Sequence, residues 1–327
     1  MSAGRGLAGL GMALFLIACQ GQQSALSGGG AESDRTLALT VLLGVGGAII
    51  FLLVAGALLV ALRGPRRWRS FLSAHTLVVH GGITFPAVVL SLLMIYSFAV
   101  LRAGPVPESG PDKPSHVIRV EGLQWWWRVT YLQPDGSEIE TANEIRIPVG
   151  EPVRLELISA DVIHSLWIPA YAGKLDMIPG HTNTLTLLAS EPGTVRGQCA
   201  EYCGGAHALM ALSVTAMLPP SYERWLAGQA EPSQPGETTG HRAFLSAGCG
   251  GCHTIRGSPA RGRVGPDLTH LASRPSLGAG TLENDAAGLA RWLDDHHQVK
   301  PDNLMPDYDF LTASEQAEIV TYLSELE

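Results

Sequence analysis

The sequence predicts a chain of several domains: a pair of membrane-crossing helices, then an all-β barrel or sandwich, then a small separate module at the C-terminal end. Three observations predict it. Residues 37–62 and 76–101 each run 26 residues without Asp, Glu, Lys or Arg, and about 20 apolar residues suffice to cross a bilayer. Over residues 116–218, short β-rich runs alternate with Gly- and Pro-containing turns. Past a polar break at 228–240 the pattern changes again, and a Cys-x-x-Cys-His run opens the third module.

The chain is 46% hydrophobic, which is ordinary, so it is the clustering of apolar residues that marks the two runs as membrane spans. They are joined by Arg63-Gly-Pro-Arg-Arg-Trp-Arg69, four Arg in seven residues, and the positive-inside rule places such a connection on the cytoplasmic side. The N-terminus and everything after residue 101 then face outward. Within the two apolar runs themselves, His80 is the side chain that readily carries charge; it either donates to a neighbouring helix or borders a proton route. Ahead of the hairpin, residues 1–19 read as a secretory signal, with Arg5, an apolar stretch over 7–18, and Leu16-Ile-Ala-Cys19. That tetrapeptide resembles the lipobox of bacterial lipoproteins, which implies lipidation at Cys19. Residues 20–36 then form a polar tether. An unprocessed start with an incidental Cys is the alternative.

Charge is unevenly spread. Residues 1–101 carry 6 basic and 2 acidic side chains, residues 102–236 carry 9 and 15, and residues 237–327 carry 7 and 13. A net of −6 on each of the last two blocks excludes the basic stripe that nucleic acid requires. The acidic exterior is solubilising, with steering of a basic redox partner as the second reading.

Strands are expected over 116–120, 125–131, 144–149, 153–159, 184–189 and 209–218, after a Pro- and Gly-rich linker at 104–114 and with turns such as Pro134-Asp-Gly136 and Glu191-Pro-Gly193 between them. Many short strands suggest a sandwich or barrel. Near its end lies Cys199-Ala-Glu-Tyr-Cys-Gly-Gly-Ala-His-Ala-Leu-Met210. Gly204 and Gly205 let this backbone fold tightly. Two thiols, an imidazole and a thioether form a donor set that favours copper over calcium, magnesium or manganese. A disulfide between Cys199 and Cys203 and a zinc site with one or two His are the alternatives. A disulfide needs neither His nor Met, and zinc does not call for Met.

The loop resembles the C-x-E-x-C-x-x-x-H-x-x-M loop of the dinuclear CuA centre in the subunit II family of haem-copper cytochrome c oxidases. The resemblance implies a cupredoxin-like Greek-key barrel. It also implies that Cys199 and Cys203 bridge two coppers, with His207 as a terminal ligand, Met210 as a weak one, and Glu201 giving its backbone carbonyl. Asp161-Val-Ile-His-Ser-Leu-Trp167 matches the family's upstream segment, making His164 the second imidazole ligand. Gln124-Trp-Trp-Trp127 matches a segment whose first Trp, here Trp125, is exposed where electrons come in. The packing alternative puts Trp125 and Trp127 on one sheet face and Trp126 on the other, and it is preferred for Trp126 and Trp127. Lys174-Leu-Asp-Met-Ile-Pro-Gly-His-Thr-Asn183 resembles a segment that packs on subunit I, with His181 where the family has Arg. The Glu201 side chain is implied to help bind a magnesium or manganese ion shared with subunit I. The family's Glu near the start of the second helix has no counterpart in Val78-Val-His-Gly-Gly-Ile-Thr-Phe-Pro86.

In the third module, Cys249-Gly-Gly-Cys-His253 is the attachment signal of a c-type haem: Cys249 and Cys252 bond the two vinyl groups, and His253 becomes the proximal iron ligand. Met305, in Asn303-Leu-Met-Pro306, is the expected distal ligand, and His/Met ligation raises the haem potential. His296 and His297 are rivals for that position and read as solvated residues. Gly265-Pro-Asp-Leu268 also fits a small all-α class I cytochrome c domain. A final helix over 312–326 opens with Thr312 and Glu315 in a capping box. A zinc or redox Cys-x-x-Cys is the alternative for Cys249 and Cys252. Cys249, Cys252 and Cys19 account for three of the five cysteines, the metal loop takes the other two, and no pair remains for a disulfide framework.

The expected division is therefore signal 1–19, tether 20–36, hairpin 37–101, copper domain 102–227, linker 228–240 and cytochrome domain 241–327. The implied function is electron relay in a respiratory terminal oxidase of the bacterial cytoplasmic membrane, with both centres on the periplasmic side. Electrons would pass from a cytochrome c or other donor to haem c, then to copper, then to haem a of subunit I. Subunit I, with subunit III as a further expected partner, would reduce oxygen and move protons. A flexible tether would hold the haem at an effective concentration of about millimolar. The competing classes are a CuA-bearing nitric oxide reductase and a copper-delivery protein, for which the haem and the Trp segment have no use. A quinol-oxidase subunit II lacks the copper ligands.

Overall fold

The computed structural model describes residues 21–26, 28–102, 116–233 and 236–327. Cys19 and the 104–114 linker lie outside them. The chain divides into two compact units, one over 34–107 and one made of the remainder. The first holds most of helix α1 (Ala31–Arg63), then α2 (Arg66–Leu72) and α3 (His75–Arg102). Both long helices are apolar and long enough to cross a membrane, and none of the apolar window in either is buried. A π-helical turn at His80–Thr84 interrupts α3, and there His80 Nδ1 lies 3.2 Å from Thr84 Oγ1.

The second unit is built on ten strands: β1 (His116–Leu123), β2 (Trp126–Leu132), β3 (Glu138–Ala142), β4 (Glu144–Pro148), β5 (Val153–Ser159), β6 (His164–Trp167), β7 (Lys174–Met177), β8 (Asn183–Leu187), β9 (Gly193–Cys199) and β10 (Ala211–Met217). They form two five-stranded sheets, ordered β3-β2-β1-β5-β8 and β4-β10-β9-β6-β7. Two pairs, β1 with β5 and β10 with β4, are parallel. Parallel neighbours require crossovers between the sheets, and the result is the cupredoxin-like layout. Burial alternates along β1 and β5, as period-2 strands with one face on a core demand. The core between the sheets includes Ile118, Val120, Trp127, Leu155, Leu157, Leu166 and Val214.

Four of these strands, β3, β6, β7 and β9, lie outside the runs expected from sequence. They are short or Gly-bearing, and tertiary contacts create them. Gly197 in β9 shows why: a Cβ there would stand 2.9 Å from Leu212 and 3.1 Å from Ile168, so only glycine lets the sheet close.

The segment expected to be a free tether is packed on this domain. Arg196 N donates to Gln22 O at 2.8 Å, Ser190 N to Gly29 O at 2.9 Å, and Ser33 Oγ to Ala170 O at 2.7 Å. A Cβ at Gly30 would meet Tyr171 at 2.9 Å. Edge-strand pairing, invisible in a polar sequence, holds it there.

Helix α4 (Pro219–Ala230) leads into the helical domain, which contains α5 (Thr239–Ser246), α6 (Ala286–Val299) and α7 (Ala313–Ser324) with a small hairpin of β11 (Ser276–Leu277) and β12 (Leu282–Glu283). The expected linker is thus helical at both its ends. Each helix of this domain opens on a side-chain cap: Thr238, Asp285 and Thr312, the last with Glu315 in a complete capping box. The α5–α7 contact is tight because Gly240 has no side chain; a Cβ would lie 2.1 Å from Glu318 O.

Candidate metal centre and haem crevice

Strands β6 and β9 are neighbours, with Leu166 opposite Cys199. That register places His164, at the start of β6, beside Cys199, at the end of β9. The chain then leaves β9, makes the Gly204–Gly205 turn and returns as β10, and Cys199 N donates to Met210 O at 2.9 Å to close the loop. Inside it Cys199 Sγ and Cys203 Sγ lie 3.7 Å apart as free thiols. His164 Nδ1 is 3.9 Å from Cys199 Sγ, His207 Nδ1 is 3.5 Å from Cys203 Sγ, and Met210 Sδ is 3.9 Å from the same sulfur. The Glu201 carbonyl oxygen is 3.2 Å from Cys199 Sγ. Every donor named from the sequence thus meets at one point, while the Glu201 side chain is exposed.

The surroundings hold these donors in place. His164 is fully buried, and its Nε2 bonds Asp161 Oδ1 at 2.8 Å, the carboxylate–imidazole pairing that orients a metal-ligating ring. Burial alone would depress the imidazole pKa, but the bonds to Cys199 and Asp161 outweigh it and hold His164 above its ordinary value. Gly122 makes room for that ring, since a Cβ would stand 2.8 Å from it. The contact between the two sulfurs, with the bond to His164, lowers the Cys199 pKa, and the same contact raises that of Cys203. Two adjacent thiols with imidazole and thioether at their sides fit a soft or borderline cation such as copper.

The helical domain lines most of a cavity of about 500 Å³, which residues 123–126 of the β domain also border. Cys249, Cys252 and His253 line it, as do Met305 and Trp292. His253 Nδ1 bonds Pro266 O at 2.8 Å, which leaves Nε2 as the ring nitrogen for an iron. Burial lowers the His253 pKa and keeps the ring neutral, the form that ligates. Gly265 permits this arrangement, because a Cβ would lie 2.4 Å from the imidazole. Trp292 Nε1 donates to Met305 Sδ at 3.3 Å, which steers the thioether. Two thiols, a fixed neutral imidazole and a held thioether around an apolar void fit a covalently attached haem.

Neither rival histidine lines this cavity. His296 is not solvated: it is 2% exposed, with Nε2 on Pro306 O at 3.2 Å and Nδ1 on Asn303 Nδ2 at 3.1 Å. It ties down the loop that presents Met305.

The expected exposure of Trp125 is corrected by the structure. Trp125 is 7% exposed, because the helical domain covers it and its ring lines the same cavity. Its Nε1 donates to Cys203 O at 3.1 Å, joined there by Gln124 Nε2 at 2.8 Å. Trp127 fills the core, as packing predicts, whereas Trp126 also lines the cavity and lies under the Arg128 guanidinium at 5.0 Å. Sequence reasoning missed Asp161 as the partner of His164, and Lys300 altogether. A carboxylate three residues before a ligating His was the available signal for the first; nothing local marks the second.

Comparison with known proteins places these features in a family. Residues 132–217 match the family described as cytochrome c oxidase subunit II, periplasmic domain, and residues 238–327 match cytochrome c. The chain is 35% identical over 263 residues to cytochrome c oxidase subunit 2 of Alkalihalophilus pseudofirmus, covering 76% of this chain and 75% of that protein. It is 30% identical over 259 residues to the subunit 2 of Bacillus sp. strain PS3, covering 74% and 72%. Among solved structures, the periplasmic domain of cytochrome oxidase subunit II (CoxB) of Bradyrhizobium japonicum is 29% identical, with 38% of this chain and 97% of that chain covered at a TM-score of 0.34. The chain belongs to the cytochrome c oxidase subunit II family, in a form that carries a cytochrome c domain at its C-terminal end.

Proposed function

We propose that the chain is the electron-relay subunit of a membrane terminal oxidase, receiving electrons from a cytochrome c or another donor and passing them toward subunit I, where oxygen is reduced and protons are moved. When bound, haem c on Cys249, Cys252, His253 and Met305 and a dinuclear copper centre on His164, Cys199, Glu201 O, Cys203, His207 and Met210 supply the one-electron couples. The observation that carries this reading is the position of Trp125, which lines the cavity of one domain and hydrogen-bonds the ligand loop of the other.

The chain's own residues do the rest. The barrel holds donors from β6 and from the β9–β10 loop in one geometry, so little must move when charge changes. Burial of Cys199, Cys203 and Met210 keeps water out, and the bond from Nδ1 to Pro266 O holds the His253 ring in its orientation. Asp161 holds the tautomer and angle of His164. Exposed Tyr202, Ile163 and Ile178 on the β domain suit a protein contact, for which subunit I is the natural occupant; subunit III completes the complex. The exposed Glu201 carboxylate is available for a magnesium or manganese ion at that contact. Two apolar helices joined by an Arg-rich turn favour a bacterial cytoplasmic membrane, with the sites outside.

The test is oxygen consumption by the purified complex supplied with reduced donor, for wild type and Cys199→Ser. The variant should reduce its haem normally yet consume almost no oxygen. Full oxygen turnover in the variant would remove copper from the main path. Turnover of nitric oxide but not oxygen by the wild type would replace the reading with a nitric oxide reductase.

A further inference from the structure

Lys300 follows helix α6 and is 3% exposed. Its ammonium donates to Trp125 O at 2.5 Å and to Gly278 O at 2.9 Å. The first acceptor belongs to the β domain and the second to the helical domain. Among the described residues, no carboxylate lies within ion-pair distance of it. Burying an ammonium against carbonyl oxygens is costly. A surface lysine would fill no such position, so the cost needs a return elsewhere in the structure.

The neighbours show what that return is. Two residues on, Asp302 sits so close to the metal loop that a Cβ on Gly205 would lie 1.9 Å from its Oδ2. Ala211 N, at the far end of the same loop, donates to Ala279 O at 3.0 Å, one residue past the Gly278 that Lys300 holds. The remaining contacts between domains are at the rim: Arg128 Nη2 on Arg263 O at 2.6 Å, Arg263 with Glu140 at 3.2 Å, and Arg146 Nη2 on Ser273 O at 3.2 Å. These involve partly or well exposed groups, and exposed pairs contribute little. Lys300 is the buried side-chain contact beside the Ala211–Ala279 backbone bond, and it lands on the backbone of the residue that touches both sites.

We infer that Lys300 is the positioning residue that locks the cytochrome domain over the metal loop, by bridging the carbonyls of Trp125 and Gly278 with one buried ammonium. The helical domain is thereby held as a docked module and does not swing on its connection. The inference rests on the relay reading for its purpose, but docking can be measured without it. A lysine ammonium, with three donors on a long stem, can reach both carbonyls at once.

The test uses the full-length chain with both cofactors, in detergent, as wild type, Lys300→Met and Lys300→Gln. Unchanged haem and copper absorption confirms that each variant is folded. Amide hydrogen exchange at residues 123–127 and 203–205 then reads docking directly, and photoreduction of the haem reads the rate at which an electron leaves ferrous haem and reduces the copper pair. Loss of a buried charged hydrogen bond should speed exchange at both segments by about tenfold or more in Lys300→Met, with a fall of similar size in the transfer rate and a smaller effect in Lys300→Gln, which keeps a donor. Exchange within twofold of wild type in both variants would overturn the inference. If the wild type itself transfers no electron between centres, the relay reading fails, and the exchange data still decide the role of Lys300.

Discussion

The two sites of this protein are built on opposite plans. In the β domain the ligand atoms already stand together, at 3.5 to 3.9 Å from one another, inside a packed core. In the helical domain the ligating residues stand around a cavity of about 500 Å³. A metal ion is small, so a barrel stabilised by its own core can hold an almost finished site. A haem is as large as a core, so a domain of about 90 residues can form only around it. The lesson is that loss of metal and loss of haem should have very different structural consequences.

The largest expected effect breaks that comparison most directly. The cavity lies against the apolar core of the helical domain, and a small domain has little stability to spare when much of its core is missing. Cys249→Ala/Cys252→Ala should therefore lose most helical circular dichroism of residues 239–324 while the β domain keeps its copper absorption. A fully folded helical domain without haem would show that the cavity collapses at little cost. The metal site should answer more mildly to its supporting group: Asp161→Asn keeps the shape but weakens the hold on His164, and metal affinity should fall about 10- to 100-fold in a chelator competition, with the barrel's melting temperature in the metal-free state little changed.

The smallest effect sharpens the contrast by touching only the helical domain. Thr312→Ala removes the cap of α7 and should cost about 1 kcal/mol, read by denaturant unfolding of the haem-loaded chain. Hydrogen bonds from the Thr312 backbone and side chain hold the Glu315 pKa below its ordinary value. A lowered carboxylate pKa contributes stability that is present above the unfolded value and lost as pH falls through the folded one. The difference between wild type and Thr312→Ala should accordingly shrink in acid.

Much of the fold was legible because its signals are local. Two uncharged runs became helices whose ends differ from expectation by one residue for α3 and six or fewer for α1. The capping box at Thr312 appeared as read. What the sequence obscured was made by partners far along the chain. Strands β6 and β9, which carry His164 and Cys199, are short or Gly-bearing and exist because they pair with each other and with β7 and β10. Residues 22–30 look like a solvated tether, yet their backbone completes the edge near Ala189 and Arg196. Trp125 matched a segment that is exposed in a subunit of this kind standing alone; here a second domain covers it. His296 read as solvated because a histidine's burial depends on what folds over it, in this case the Met305 loop.

By itself the sequence determined which donors lie together locally, since the spacing of Cys199, Cys203, His207 and Met210 and the Cys249-Gly-Gly-Cys-His253 run each put donors within one or two turns of backbone. It also determined the membrane hairpin, because an uncharged stretch of that length has few other stable environments. Only the tertiary structure decided that Asp161 supports His164, that Trp125 is shared between the two sites, and that Lys300 is buried where the domains meet. Those three facts depend on contacts across 3, 78 and 175 positions of the chain. Contacts of the longer kind are set by how sheets and domains close on one another, and no local pattern of residue types encodes that closure.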